Sequence, residues 1–526
     1  MKKKKLSGIK ILILAFLLIS VVFPLITVLL NIRLEDVGTI VRAPQFGGMM
    51  INSLAATLAS TLISVTLAFL LAWCLNRSRM RFKGVFSVLF TIPMLIPSIS
   101  HGMGLVLLLG DNGLLTNLLG IHVPLYGYLG IILGSVLYSF PVAFLMLMDI
   151  FQYEDYTIYE SAQVLGLSKV QQFLTITLPN MRKTLISVIF ATFTLIFTDY
   201  GVPLVVGGKV MTLPVYMYRE VVGLLDFSKG AVIGVFLLIP AVIAFLMDLK
   251  NDDGGNTSTV TKQFYVAKNK KRDRICYTVC TVVVVLISLP ILAFLYLSVV
   301  KQYPIDLSLS FDNIKEALRL GVGMYLKNSL AIALTTSFVG VAVTYFIAFL
   351  TARSGKNFST MALHLISMVS LAIPGIVLGL SYVLFFKGTF IYGTLAVLVL
   401  VNLIHFFASP YLLAYNSLSK FNANLEDVSD TLGISRLRLL KDVFVPCTRK
   451  TILEMFSYIF VNCMITISAV SFLANFRNMP LALLIPRFDA ESLIEPTAFV
   501  SIVILAVNGM MKLAVFFMKN KMEDVS

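Results

Sequence analysis

Residues 160–179 read ESAQVLGLSKVQQFLTITLP, and residues 427–446 read DVSDTLGISRLRLLKDVFVP. The two stretches align without a gap, because both carry glycine at their seventh position and proline at their last. Each copy is a polar stretch in a chain of 526 residues that is 58% hydrophobic and only 13% charged. A polar loop that recurs between long apolar segments indicates two copies of one membrane-embedded unit.

The apolar segments are long enough to cross a lipid bilayer. A transmembrane helix needs about 20 apolar residues to span roughly 30 Å of hydrocarbon, and about twelve segments meet that criterion. The sequence therefore predicts an all-α polytopic membrane protein. The predicted spans are 9–30, 49–75, 84–110, 126–150, 184–207, 229–248, 275–298, 324–351, 360–386, 389–416, 451–474 and 495–517.

The net charge of +15 follows the predicted topology and does not require a nucleic-acid partner. Lysine and arginine concentrate in the cytoplasmic loops of membrane proteins. If both termini are cytoplasmic, all the basic clusters lie on the cytoplasmic side, so we predict that orientation and no binding of nucleic acid. The clusters lie within residues 2–5, 77–83, 262–274 and 436–450.

A polar linker at residues 249–274 divides the chain into a first half, 1–248, and a second half, 275–526. Each half has an even number of predicted spans, so the halves should be parallel six-helix repeats with a solute path at their interface. Pro97 and Pro374 interrupt corresponding spans and are candidates for lining that path, because irregular backbone at membrane depth must be buried or face a cavity. The alternative is that these prolines only kink packed helices.

The repeated polar loop predicts a helix–turn–helix on the cytoplasmic surface. Gly166 can take a positive φ and end the first helix, and Ser168 stands where an N-cap belongs. Pro179 closes the element before the chain returns to the membrane. A short exposed helix joined rigidly to two spans is a lever that a soluble partner can move.

The pattern E-A-A, three residues, G, nine residues, I-x-L-P resembles the cytoplasmic loop of binding-protein-dependent ABC importer permeases. The first copy departs from it at Ser161, and the second has Asp427-Val428-Ser429 in place of E-A-A, with Glu426 one residue early. The resemblance implies that each repeat has a cytoplasmic coupling helix, which contacts an ATP-binding subunit through an acidic residue, small residues and a glycine. The corresponding positions here are Glu160, Ser161, Ala162, Gly166, Pro179, Asp427, Ser429, Gly433 and Pro446.

The resemblance also implies the partners and the location. They are two ABC ATPase subunits, expected as a homodimer, an extracytoplasmic substrate-binding protein and the lipid bilayer of a bacterial cytoplasmic (inner) membrane. The Gly-Lys pairs at Gly208 and Gly355 do not fit the phosphate-binding loop G-x-x-x-x-G-K-[ST], so ATP and Mg²⁺ should bind the partner subunits. The five cysteines form no metal-binding pattern, and we expect neither a cofactor nor enzymatic activity in this chain.

The length and two segments bear on the solute. In its length and in its two fused permease halves, the chain resembles the branch of the family that handles ferric iron, thiamine and phosphonates. Segments 197–208 and 466–473 look most like the phosphonate group, so 2-aminoethylphosphonate is the first expectation, with ferric iron or thiamine as alternatives. Candidate pathway residues are Pro97, Asp199, Tyr200, Pro374 and Ser468.

Asp199 has two readings. A carboxylate within a membrane span is costly and marks a functional site by default. The alternative is structural: Asp199 pairs with Lys209 or Arg219, or caps a broken helix.

For the whole chain, an ion-coupled secondary transporter with parallel halves would share the topology, and a scaffold without transport is a third reading. The duplicated polar loop favours the importer, because a self-sufficient transporter does not need it.

Overall fold

The computed structural model describes residues 2–120, 122–152, 154–251, 262, 264–355 and 357–523. Apart from an antiparallel ribbon of β1 (Val300–Gln302) and β2 (Asp306–Leu309), the regular structure of these residues is helical. The prediction of an all-α polytopic membrane protein is therefore confirmed. Residues 252–256, the most polar part of the predicted linker, lie outside the described residues.

The helices of the first sequence half are α1 (Lys2–Leu17), α2 (Phe23–Leu30), α3 (Leu34–Val41), α4 (Phe46–Arg77), α5 (Lys83–Thr91), α6 (Ser98–Leu109), α7 (Leu114–Leu119), α8 (Tyr128–Gln152), α9 (Tyr156–Val164), α10 (Lys169–Gln172), α11 (Leu178–Phe197), α12 (Gly201–Val206), α13 (Leu213–Tyr218) and α14 (Phe227–Asn251). Those of the second half are α15 (Lys270–Leu297), α16 (Asp312–Arg319), α17 (Val322–Ala352), α18 (Phe358–Val369), α19 (Gly375–Phe386), α20 (Leu395–His405), α21 (Ala408–Ser419), α22 (Leu425–Thr431), α23 (Arg436–Leu439), α24 (Val445–Cys447), α25 (Arg449–Ile465), α26 (Leu484–Ala490) and α27 (Ile494–Glu523).

The number of spans is close to the predicted twelve. Within the described residues, nine helices are long and apolar enough to cross a membrane, and two bent helix pairs raise that number to eleven. The difference arises at the predicted span 451–474, because α25 ends at Ile465 after 17 residues. The chain continues from there in turns rather than in a helix.

Several spans are broken, and prolines mark the breaks. The predicted span 84–110 consists of α5, a 3₁₀ turn at Ile92–Leu95 that contains Pro93, and α6, which begins after Pro97. The helices α18 and α19 meet at an angle of 111° beside Pro374, and α20 and α21 meet at 52°. Proline causes such breaks because it donates no backbone hydrogen bond and its ring clashes with the preceding turn.

One compact unit, called unit I here, comprises Val41–Tyr216 and Ile239–Leu309. Small buried residues on α4 let α8 approach closely, and the hydroxyls of Ser64 and Ser139 lie 2.7 Å apart. The first helix of the second sequence half, α15, belongs to this unit. It packs so tightly on α6 that a Cβ added at Gly104 would lie 2.7 Å from the Cβ of Pro290.

The other compact unit, unit II, comprises Met1–Ile40, Met217–Leu238 and Ser310–Ser526. Here α17 packs on α25, where a Cβ at Gly340 would lie 2.9 Å from Ile459 Cδ1. The first helix of the chain belongs to this unit, and Tyr382 of α19 donates a hydrogen bond to the carbonyl of Ser20 at 2.7 Å. The predicted sequence halves 1–248 and 275–526 follow the repeat, and they remain a prediction. The compact units divide the chain differently: unit I includes α15, the first helix of the second half, and unit II includes α1, the first helix of the first half.

Candidate functional site

The first coupling loop, residues 154–179, is a helix–turn–helix. Its first helix, α9, begins after Asp155, whose carboxylate accepts a hydrogen bond from the N–H of Thr157 at 2.9 Å. Gly166 follows α9 with a φ of +75°. The hydroxyl of Ser168 accepts the N–H of Gln171 at 3.3 Å, and the Gln171 side chain accepts the N–H of Ser168 at 2.8 Å. The predicted positive φ and N-cap are both confirmed.

The second coupling loop, residues 421–446, follows the same path with mostly different residues. Gly433 has a φ of +69°, and Ser435 caps the next helix by accepting a backbone N–H at 3.3 Å. The N–H of Ile434 bonds to the carbonyl of Ser429 at 2.9 Å, and the first loop has the matching bond at 3.0 Å. Both copies therefore form the same turn with the same glycine and serine cap.

Both turns present apolar side chains on their outer surface. Val164 is 88% exposed, Leu165 is 77% exposed and Leu432 is 69% exposed. The small residues Ala162 and Ser429 are buried beneath the helices, so they set how closely each helix lies on the loop under it. An exposed apolar rim above a tightly packed base is typical of a surface that receives another protein.

The two motif acids have different surroundings. Glu160 forms an ion pair of 2.5 Å with Lys262 of the linker, and the Glu160 side chain is 42% exposed. Asp427 is exposed and forms no ion pair with any residue that the structure describes. The other predicted loop residues lie nearby: Ser161 donates to the carbonyl of Thr157 at 3.0 Å, and Pro179 and Pro446 are exposed in the first turns of α11 and α24.

Glu426, the acid one residue early in the second copy, turns inward to a buried arginine. Arg353 donates from Nε and Nη2 to the two carboxylate oxygens of Glu426 at 2.7 and 2.6 Å. It also donates to the carbonyls of Phe421 and Asn422 at 2.9 and 2.8 Å. The two charged side chains are only 5% and 12% exposed. This bidentate pair fixes the end of α17 to the second coupling loop.

Arg77, the last residue of α4, holds the first coupling loop in a comparable way. Its guanidinium donates to the carboxylate of Glu154 and, at 3.2 Å, to the hydroxyl of Tyr159. That hydroxyl in turn donates to Glu154 at 3.0 Å. Burial raises the pKa of Tyr159 to about 12, so the hydroxyl keeps its proton at neutral pH and remains a donor. Arg77, Glu154 and Tyr159 form one buried network.

Only part of these networks could be found from the sequence. Arg77 and Arg353 each follow the second span of a half and so stand out as a repeated pair. Their acidic partners do not correspond, because Glu154 aligns with Phe421 and Glu426 aligns with Tyr159 in the repeat. Aligning the two copies therefore could not reveal the ion pairs.

The predicted pathway residues of unit I meet at the break beside Pro97, which is buried. Ser98 donates to one carboxylate oxygen of Asp199 at 2.6 Å, and the N–H of Val202 donates to the other at 3.0 Å. Asp199 thus caps α12, in line with the structural reading of this residue. The adjoining cavity has a volume of about 10 Å³, which is room for one water. Tyr200 is fully buried.

The predicted pathway residues of unit II are also brought together. A Cβ at Gly375, next to Pro374, would lie 2.3 Å from the hydroxyl of Ser468 and 2.8 Å from the ring of His405. These residues lie at the bend of α18–α19, in the turns after α25 and at the end of α20. Pro374 and Ser468 therefore lie close together at the bend between α18 and α19. No group of three or more His, Cys, Asp or Glu among the described residues could hold a metal ion.

A family comparison accounts for both halves of the chain. The model of the binding-protein-dependent transport system inner membrane component family matches residues 64–249 and 344–523. The two matches include the two coupling loops. The duplicated loop therefore lies in a duplicated family module.

Curated relatives match most of this chain at low identity. A ferric transport system permease protein of Actinobacillus pleuropneumoniae is 25% identical over 405 residues, which are 73% of this chain and 58% of that protein. A thiamine transport system permease protein of Escherichia coli (strain K12) is 24% identical over 401 residues, 73% of this chain and 72% of that protein. The chain spans about three fifths of the length of the ferric-type relatives that it matches.

Proposed function

Because the chain belongs to the family of binding-protein-dependent transport system inner membrane components, we propose that it is the membrane subunit of an ATP-driven importer. In this proposal, the protein lies in the bacterial cytoplasmic membrane with both termini inside. Two ATPase subunits dock on the two coupling loops and hydrolyse ATP with their own Mg²⁺. An extracytoplasmic binding protein delivers the solute. This chain supplies the path and performs no chemical step.

The observation that carries the proposal is the duplicated exposed loop, anchored in each copy by a buried arginine. Arg77 and Arg353 connect the ends of α4 and α17 to the coupling loops. A force applied to the exposed turn would therefore reach a membrane span through a short, buried connection. An ion-coupled transporter is the second candidate by topology, but it has no use for two such levers.

For the solute, we place ferric iron first, because two ferric-type permeases each match 73% of this chain at 25% identity. The thiamine permease of Escherichia coli matches the same share, and it keeps thiamine as a candidate. A phosphonate such as 2-aminoethylphosphonate remains a candidate on segments 197–208 and 466–473. The capped Asp199 is compatible with all three, because its carboxylate is already hydrogen-bonded to Ser98 and Val202.

Two measurements test the proposal. The protein is purified from its native host in a mild detergent, and co-eluting proteins are searched by mass spectrometry for a chain with a phosphate-binding loop. A strain lacking this gene is then assayed for uptake of labelled ferric iron, thiamine and 2-aminoethylphosphonate. We expect an ATPase to co-elute and one uptake activity to be lost. Uptake that persists without ATP but collapses with the ion gradient would establish the secondary transporter instead.

A further inference from the structure

The end of the linker packs directly on the first coupling helix. The carbonyl of Lys262 accepts the N–H of Tyr156 at 3.0 Å, while its ammonium group pairs with Glu160. Phe264 stands edge-on to the rings of Tyr156 and Tyr159, with both centroids 5.0 Å away. The contact therefore includes a backbone hydrogen bond, an ion pair and an aromatic cluster.

The backbone contact completes the cap of α9. The first N–H groups of any helix lack partners within that helix. In α9, the carboxylate of Asp155 accepts the N–H of Thr157, and the carbonyl of Lys262 accepts the N–H of Tyr156, the first residue of the helix. The second coupling helix, α22, begins at Leu425 without a side-chain cap and is held by Glu426 instead. The linker therefore gives the first copy a backbone contact in addition to its own arginine network.

Phe264 also covers the buried arginine network. The Cζ of Arg77 lies 3.2 Å from the centroid of the Phe264 ring, which is the cation–π arrangement that aromatic rings favour. Phe264 packs with the buried cluster of Tyr159, Ala162 and Ile176 beneath α9. The linker thus contacts both the first coupling helix, α9, and Arg77, the residue that anchors the first coupling loop.

The linker itself is tied to a membrane span. Phe264 precedes α15 by only a few residues, and Asp273 in the first turn of α15 accepts the N–H of Arg79 at 3.0 Å. All these residues belong to unit I. The first coupling helix is therefore connected to α4 through Arg77 and to α15 through Phe264.

We propose that Lys262 and Phe264 are a permanent brace of the first coupling helix and form part of the surface on which its ATPase subunit docks. The brace keeps α9 capped, holds Glu160 beside the positive charge of Lys262 and passes the motion of α9 to α15 as well as to α4. The two coupling loops are consequently unequal, because Glu160 of the first is paired with Lys262 whereas Asp427 of the second is exposed. This inference rests on the proposed function for its partner but not for the contact itself.

The first test compares Phe264→Ala with Phe264→Tyr and with the control Phe358→Ala, which removes an aromatic side chain that is 88% exposed. Hydrogen exchange at the Tyr156 amide should be roughly tenfold faster in Phe264→Ala, since aromatic and cation–π contacts are lost. Phe264→Tyr and the control should exchange as the wild type does. Unchanged exchange in Phe264→Ala overturns the brace, whether or not an ATPase is bound.

The second readout is coupling in the complex with its co-purified ATPase. Phe264→Ala should lower solute transported per ATP hydrolysed by at least about threefold, while Phe264→Tyr restores it. A fully coupled Phe264→Ala complex would refute the docking role. If no ATPase co-elutes with the wild type, the proposed function fails, yet the exchange experiment still decides whether the brace exists.

A cysteine pair separates a permanent brace from an inhibitory strap that must detach. Tyr156→Cys with Lys262→Cys places two thiols where the backbones already share a hydrogen bond of 3.0 Å. Oxidation to a disulfide should leave transport at least equal to that of the reduced form, because the brace stays docked through the cycle. Loss of transport on oxidation and its return on reduction would overturn the proposal. The same variant compared in two redox states cancels any packing defect.

Discussion

Replacing Arg353 with alanine should destabilise the protein more than the loss of any exposed ion pair. The Arg353 side chain is 5% exposed and bonds to Glu426 and to two backbone carbonyls. Removing one partner of a buried ion pair costs about 3–5 kcal/mol, because the other charge stays buried without compensation. The free energy of unfolding, measured by titration with sodium dodecyl sulfate in mixed micelles, should fall by that amount.

The matched control is Arg438→Ala. Arg438 pairs with Asp442 at 3.2 Å on the surface of the same loop, where the two side chains are 75% and 53% exposed. Exposed pairs of this kind contribute about 0.3–0.5 kcal/mol. The double variant Arg353→Met with Glu426→Leu should recover most of the loss, because it leaves no buried charge unpaired. If Arg353→Ala and the control cost the same, or the double variant is no better than the single one, the reasoning is refuted.

Three further outcomes are expected. Gly166→Val should lower the free energy of unfolding by about 1–2 kcal/mol, since the φ of this residue is +75°. It should also lower ATPase co-purification while membrane insertion persists. Gly433→Val is the matched change in the second loop, and normal assembly of both variants would contradict the role of the turn. Asp199→Ala should reduce stability by about 1–3 kcal/mol by leaving the N–H of Val202 unpaired, whereas a thermally stable variant that no longer transports would favour a pathway role. A cysteine introduced at Asn256 should not react with an impermeant thiol reagent on intact cells, and efficient labelling would overturn the predicted cytoplasmic linker.

Local features of the coupling loops could be predicted because neighbouring residues decide them. A glycine after a short helix can take a positive φ whatever surrounds it, and a serine two residues later can cap the next helix from its own side chain. Gly166 and Ser168 do both in the structure. The membrane spans could be predicted just as directly from the apolar segments, because a bilayer imposes a minimum length on every span.

The breaks within the spans were only partly predictable. Pro97 and Pro374 mark where the two spans break, but the angle at each break depends on what the two helix segments pack against. The sequence gives no sign that α25 ends at Ile465, because the residues that follow are as apolar as those before. Helix length in such a segment depends on packing rather than on composition.

By itself, the sequence determined the polytopic helical fold, the duplication and the turn in each coupling loop, since these depend on composition and on residues close together in the chain. Tertiary structure decided the partners of Arg77 and Arg353, whose acids occupy different positions in the two repeats. It also decided that α1 and α15 pack with the opposite sequence halves and that Phe264 packs on α9. Such contacts join residues far apart in sequence, and their free energy depends on the burial and geometry that only the folded chain provides.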